Sequence, residues 1–298
     1  MSENIKTSVV GSYPIKIDRS KFMNNYFSNE EIKWNSYINE AVSDMKNAGI
    51  SMVSDGQTRD PFVQIFTRKL KGCRIRARTE IVDKIEYEKP ITVDDQKYVK
   101  SIIPDNVGLI GVITGPFTLA KSCVDLFYRN ERDMAFDFAE ALSCEAENLQ
   151  PYVDMISIDE PFFSNEMPEY GKDLIDIITK KLTCPTRLHA CGDVSKIIPE
   201  LLELPVDILS HEFKASSNLL DEFSKYNITK KICLGSVRSD DSRVETVDEI
   251  IAHAKKGLEI FGNKIVQLAP DCGQRMLPRS VAFEKLKNLA IAGEKING

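Results

Sequence analysis

No stretch of this sequence approaches the roughly 18 consecutive apolar residues that a membrane helix needs. The N-terminus, MSENIKTSVVGSYP, also lacks the basic-then-apolar order of a signal peptide. The expectation is a cytoplasmic protein without a membrane partner. A basic surplus is missing too: 39 Lys and Arg stand against 45 Asp and Glu, a net charge of −6 with pI near 5.4. That balance argues against nucleic-acid binding, which is usually driven by a basic face on the phosphates. There are no internal repeats and no low-complexity runs. Tryptophan occurs once and histidine three times. The seven cysteines, Cys73, Cys123, Cys144, Cys184, Cys191, Cys233 and Cys272, are odd in number and fit no disulfide framework. They suit a reducing compartment, with some as candidate metal ligands.

What the chain does have is 298 residues, 42% of them apolar, enough for two ordinary domains or one large α/β barrel. Short β-branched runs alternate with amphipathic segments. The strand candidates are Lys6 to Val10, Ile50 to Ser54, Val107 to Ile113, Asp154 to Ile158, Thr186 to His189, Val206 to Ser210, Lys231 to Leu234 and Lys264 to Leu268. Between them lie segments of helical period: Glu30 to Ala48, Glu131 to Asn148, Lys172 to Lys181, Val194 to Glu203, Val247 to Ile260 and Val281 to Ala292. Eight strand-then-helix units predict a single (β/α)8 TIM barrel over residues 1–298, with a doubly wound sheet as the alternative. One segment departs from the pattern. Arg74 to Lys89 alternates with period two and predicts a β-hairpin insertion after the second strand, basic in its first half and acidic in its second. Cross-strand charge pairing explains such a ribbon. A docking surface from Arg68 to Lys89 for an anionic partner is the other reading.

In a barrel the C-terminal ends of all strands meet in one pocket. Here those ends read Gly11-Ser12-Tyr13, Asp55-Gly56-Gln57, Thr114-Gly115-Pro116, Asp159-Glu160-Pro161, His189-Ala190-Cys191, His211-Glu212, Gly235-Ser236 and Asp271-Cys272-Gly273. His189 and Cys191 are two apart, so a strand turns both side chains the same way. Zinc prefers imidazole nitrogen and thiolate sulfur, and Glu212 and Cys272 come from two other strand ends. His211 competes with Glu212, but alternation places Ile208, Ser210 and Glu212 on one face and Leu209, His211 and Phe213 on the other. His253 reads as an ordinary helix residue. Asp159 shares a face with Met155 and Ser157. An inward carboxylate there needs a partner such as a substrate ammonium, or else it caps a helix in Asp-Glu-Pro.

VVGSYP, SDGQTRD, ITGPFTLAKS, SIDEP, LHACGD, SHEF and PDCGQRMLP, in this order, resemble the cobalamin-independent methionine synthase family. The resemblance runs from Val9 to about Leu289, and it is to the short archaeal-type form that has only the C-terminal catalytic barrel. It implies a zinc-dependent methyltransferase that activates homocysteine as a thiolate and converts it to methionine. The implied zinc ligands are His189, Cys191, Glu212 and Cys272. Asp159 would hold the substrate amino group, and the backbone at Gly11 and Ser12 its carboxylate. Asp159 and Glu212 would be the catalytic pair, Glu212 being the ligand that loosens when the sulfur arrives.

Long family members have a glutamate where Gln57 stands, so Gln57 would be a substrate-binding contact to the ammonium without its charge. Further departures bear on the methyl donor: long members also have a second, N-terminal barrel that helps hold folate, a histidine in the loop that here reads GSVRSDDSRVE, and a folate-stacking tryptophan. The only tryptophan here is Trp34. These differences imply a methylcorrinoid or corrinoid protein as donor rather than methyltetrahydrofolate polyglutamate, because the corrinoid leaves without a proton. The rival readings are methylation of another thiol such as coenzyme M, a decarboxylase of the uroporphyrinogen type on a related barrel, and a non-catalytic subunit of a split methionine synthase.

Overall fold

In a computed structural model, which describes residues 4–17, 34–59 and 61–298, every one of the eight expected strand segments pairs in parallel with its neighbours. The first four residues of the helix expected from Glu30, and Asp60 of SDGQTRD, lie outside the described residues. The strands are β1 (Lys6–Thr7), β2 (Met52–Val53), β3 (Lys71–Ile75), β4 (Thr79–Glu86), β5 (Gly108–Thr114), β6 (Val124–Asp125), β7 (Met155–Asp159), β8 (Thr186–Ala190), β9 (Ile208–His211), β10 (Lys231–Val237) and β11 (Ile265–Pro270). The helices are α1 (Asn35–Asn47), α2 (Phe62–Thr67), α3 (Val93–Ile102), α4 (Pro116–Ser122), α5 (Glu131–Leu149), α6 (Gly171–Thr179), α7 (Ile198–Leu202), α8 (Leu219–Phe223), α9 (Val247–Phe261) and α10 (Arg279–Asn297).

Eight strands form one sheet in the order β1-β11-β10-β9-β8-β7-β5-β2. A parallel bridge between Ser8 and Met52 joins its two ends, so the sheet closes into a barrel. Strand alternation then divides the apolar residues into two cores. Ile156, Ile158, Leu188, Leu209 and Leu234 face outward into a large cluster shared with the helices. Val10, Met52, Ile110, Val112, Met155, Ile208, Cys233 and Ala269 form a separate cluster inside the barrel. Each fully buried aliphatic side chain contributes about 1.5–3 kcal/mol, so the outer layer supplies most of the driving force. Helix ends follow local chemistry. Thr246 and Glu249 form a reciprocal capping box at the start of α9, and Asn130 accepts from the Arg132 N–H at the start of α5.

Several expectations shift. The helix expected over Val194 to Glu203 is a 3-10 turn at Ser195–Ile197 followed by α7, because Pro199 has no N–H and its ring fits only a first turn. Gly235 and Ser236, expected beyond the seventh strand, lie within β10. The hairpin is confirmed but begins earlier: β3 and β4 pair antiparallel, with Lys71 opposite Glu86 and Arg74 opposite Glu80. β6, from the loop after α4, adds to β4 in parallel, a pairing that the period-two pattern does not reveal. Both opposed pairs make ion pairs of 2.5 Å, which is cross-strand charge pairing on a solvated ribbon.

Candidate active site

The strand ends enclose a cavity of about 330 Å3 lined by Ser12, Gln57, Asp159, His189, Cys191, Cys272 and Arg275, with Phe62 and Met276 among its apolar walls. Its polar groups sort onto two sides.

On the first side, β8 carries His189 with Cys191 just past its end, and Cys272 follows β11. One donor atom from each of the three lies within 4.8 Å of the others. His189 Nε2 is 3.2 Å from Cys191 Sγ, whose sulfur is 2.8 Å from Cys272 Sγ. His189 Nδ1 is 3.2 Å from Ser210 Oγ, which orients the ring and leaves Nε2 for the cavity. Burial, then the charge of Arg187, drives the His189 pKa well below the ordinary imidazole value, so the ring is neutral, the form that ligates metals. The hydrogen bond with Cys272 and burial push the Cys191 thiol well up. A bound cation reverses that preference. Glu212 stands beside this trio, not within it, near the Gly192 N–H and the Cys191 thiol, and burial raises its pKa. Ser239 Oγ braces Cys272, donating to its carbonyl at 2.6 Å and accepting from its N–H at 2.9 Å. One imidazole, two sulfurs and an adjacent carboxylate fit a borderline-soft divalent ion.

On the second side are Gly11, Ser12, Gln57 and Asp159. Gly11 has φ +54°, and a Cβ there would stand 2.7 Å from Gln57 Oε1 and 3.5 Å from Asp159 Oδ2. The missing side chain is what leaves room between the two. Gln57 itself is left-handed (φ 46°), a conformation that a non-glycine holds only when its surroundings enforce it. Asp55 accepts from the Gln57 N–H at 2.9 Å, Ser54 Oγ accepts from the Gly56 N–H, and Arg275 donates to the Gln57 carbonyl. Burial pushes the Asp159 carboxyl up to about 6, with the Arg187 charge and the Ser157 hydrogen bond opposing.

The structure separates strand-end acids that look alike in sequence. Glu160, not Asp159, caps a helix: it accepts from the N–H groups of Phe117 and Thr118 at 3.0 and 2.9 Å, and from Thr118 Oγ1 at 2.6 Å. Asp271 accepts from the Lys214 and Ala215 N–H groups, bracing the loop that follows Glu212. His211 turns away from the cavity and packs against the rings of Phe213 and Phe223, as alternation along β9 requires. His253 is 2.9 Å from the Gly235 carbonyl, and burial lowers its pKa to about 4.

Sequence reasoning misses Arg187, which is fully buried inside the barrel. Its signal is its place two residues before His189, on the same strand face. It also misses Arg275 and Ser239, which sit in loops without period.

Residues 5–295 match the family described as "Cobalamin-independent synthase, Catalytic domain". The methionine synthase of Methanocaldococcus jannaschii is 38% identical over 311 aligned positions, covering 97% of this chain and 99% of that protein. The methionine synthase of Saccharolobus solfataricus is 30% identical, covering 98% of this chain and 94% of that one. Among solved structures, a B12-independent methionine synthase from a Shewanella species, in complex with selenomethionine, superposes with a TM-score of 0.83 at 24% identity over 98% of each chain. At that identity the likeness concerns the (β/α)8 fold.

Proposed function

This chain belongs to the cobalamin-independent synthase catalytic-domain family and is an enzyme of the methionine synthase type, and from that premise we propose that it methylates the sulfur of homocysteine to give methionine, with zinc as its metal and a methylated corrinoid as donor. The observation that carries this reading is the two-sided cavity, with His189, Cys191 and Cys272 converging on one side and Asp159 and Gln57 on the other. His189, Cys191, Cys272 and Glu212 would hold the zinc, whose charge makes a nearby thiol easier to deprotonate at neutral pH. Asp159 accepts hydrogen bonds from the substrate ammonium, and the Gln57 carboxamide flanks it. The backbone of Gly11 and Ser12 takes the carboxylate. Held by both groups at one end, homocysteine extends its thiol toward the cysteines, which fixes the sulfur for in-line attack on a methyl group. Glu212 would be the one oxygen donor in that soft set, and so the most weakly held of the four.

The donor reading rests on the loop after β10. Its Arg238 is paired with Asp240 at 2.7 Å, and its Ser239 is engaged with Cys272. His253 on the next helix is held on a backbone carbonyl with a depressed pKa. None of these is a ready acid for a folate leaving group, whereas a corrinoid leaves as a stable anion. A sulfonate thiol such as coenzyme M would bring its negative charge toward Asp159 and lacks the ammonium that would offset it. Residues 1–298 act as one catalytic domain in this reading, and free thiol ligands suit the reducing cytoplasm. No helix among the described residues is long and apolar enough to cross a membrane.

The test supplies zinc-loaded protein and homocysteine with methylcobalamin and, in parallel, with methyltetrahydrofolate polyglutamate. Methionine from methylcobalamin alone supports the proposal. Methionine from the folate alone overturns the donor, and none from either overturns the reaction.

A further inference from the structure

We propose that Arg187 is a positioning residue for the amino-acid end of the site, acting on Asp159 through Ser157 and on the Gly11–Ser12 segment through Val9. The inference rests on the homocysteine reading above.

Arg187 is fully buried at the centre of the barrel, and no described carboxylate lies within ion-pairing distance of it. A guanidinium in that setting needs its five N–H donors satisfied. They reach four other strands or their continuations. Nε donates to Ser157 Oγ on β7 at 3.1 Å, and NH2 donates to the Val9 carbonyl, just past β1, at 3.0 Å. NH1 is 3.2 Å from Gln267 Oε1 on β11, 3.4 Å from Ser8 Oγ and 3.8 Å from Cys233 Sγ on β10.

The direction of these bonds carries the argument. A guanidinium can only donate, so Ser157 Oγ must accept from Arg187. The one hydroxyl proton of Ser157 is then turned elsewhere, and Asp159 Oδ1 at 3.0 Å receives it. That bond fixes Oδ1 and leaves Oδ2, the oxygen nearest the space opened by Gly11, for an incoming ammonium. The same guanidinium holds the carbonyl of Val9, two residues before Gly11. One side chain thereby sets the spacing between the group that takes the ammonium and the backbone that takes the carboxylate.

A residue that merely filled the barrel would affect stability without distinguishing ligands by their amino group. The experiment measures, by calorimetry on zinc-loaded protein, the dissociation constants of L-homocysteine and of 4-mercaptobutanoate, which has the same thiol and carboxylate but no ammonium. Native protein should prefer homocysteine, and Asp159→Asn should abolish the preference. Ser157→Ala, which leaves Arg187 in place and is the variant least disturbing to folding, should weaken homocysteine by about tenfold while changing the deamino ligand by about twofold or less. Arg187→Lys, which also loosens the hold on the Val9 carbonyl, should weaken both ligands, homocysteine the more. In the Asp159→Asn background Ser157→Ala should have no further effect. Equal weakening of both ligands by Ser157→Ala, its full additivity with Asp159→Asn, or native affinity for both ligands in Arg187→Lys would overturn the inference while leaving the homocysteine reading intact. A native protein that does not distinguish the two ligands would overturn both.

Discussion

On the three-stranded sheet of β3, β4 and β6, Arg74 meets Glu80 and Lys71 meets Glu86 across neighbouring strands in water, whereas at the barrel mouth Asp159 has no cation in ion-pairing contact among the described residues. The sheet neutralises its charge locally, and each exposed pair is worth about 0–1 kcal/mol. At the mouth the carboxylates are largely withdrawn from solvent, so each needs a donor. Glu160 and Asp271 find theirs in backbone N–H groups and serve as braces. Asp159 keeps one oxygen toward the cavity. Dense charge is therefore no sign of function by itself; an acid that remains incompletely satisfied in a cavity is.

Four perturbations test that contrast. The largest effect belongs to the sulfur side: Cys191→Ala or Cys272→Ala should remove bound zinc, measured by metal analysis, and lower turnover by about a thousandfold or more. Asp159→Asn comes next, with zinc retained and homocysteine affinity reduced about a hundredfold, read by calorimetry. The same carboxyl sets a pH dependence. Its pKa is raised to about 6, so it gains a proton, and loses its hold on an ammonium, as pH falls through that value. KM for homocysteine should then rise about tenfold for each unit of further acidification. Third, Glu160→Gln should lower stability by about 1–3 kcal/mol in urea titrations, because it replaces an acceptor at the start of α4, yet leave homocysteine affinity of the folded protein unchanged. The smallest effect is expected on the sheet. Replacing Arg74, Arg76 and Arg78 together by alanine should shift stability by about 1 kcal/mol or less and alter neither zinc content nor turnover with a corrinoid partner. A loss of partner-dependent turnover would return the sheet to a docking role.

Much of this contrast was legible in the sequence because alternation is a local property. It placed His189 and Cys191 on one face, where their side chains meet at 3.2 Å, and it set His211 outward, where it packs on Phe213 and Phe223. The eight strands and the hairpin were visible for the same reason. What was hidden depends on partners far away in the chain. Nothing local tells Glu160 from Asp159 when the donors are Phe117 and Thr118. Arg187 reads as one more strand residue until the barrel closes around it. Short elements such as β6 and α8 carry too few residues for a period to show, and Pro199 breaks a helix whose apolar spacing otherwise looks continuous.

The central claim is that the sulfur side and the carboxylate side form one metal-dependent site for a thiol amino acid. Its most direct test is methionine formation from homocysteine by one preparation of the protein before metal removal, after it, and after zinc is restored. The account predicts loss of activity on stripping and recovery with stoichiometric zinc. Undiminished activity in the stripped protein would contradict it.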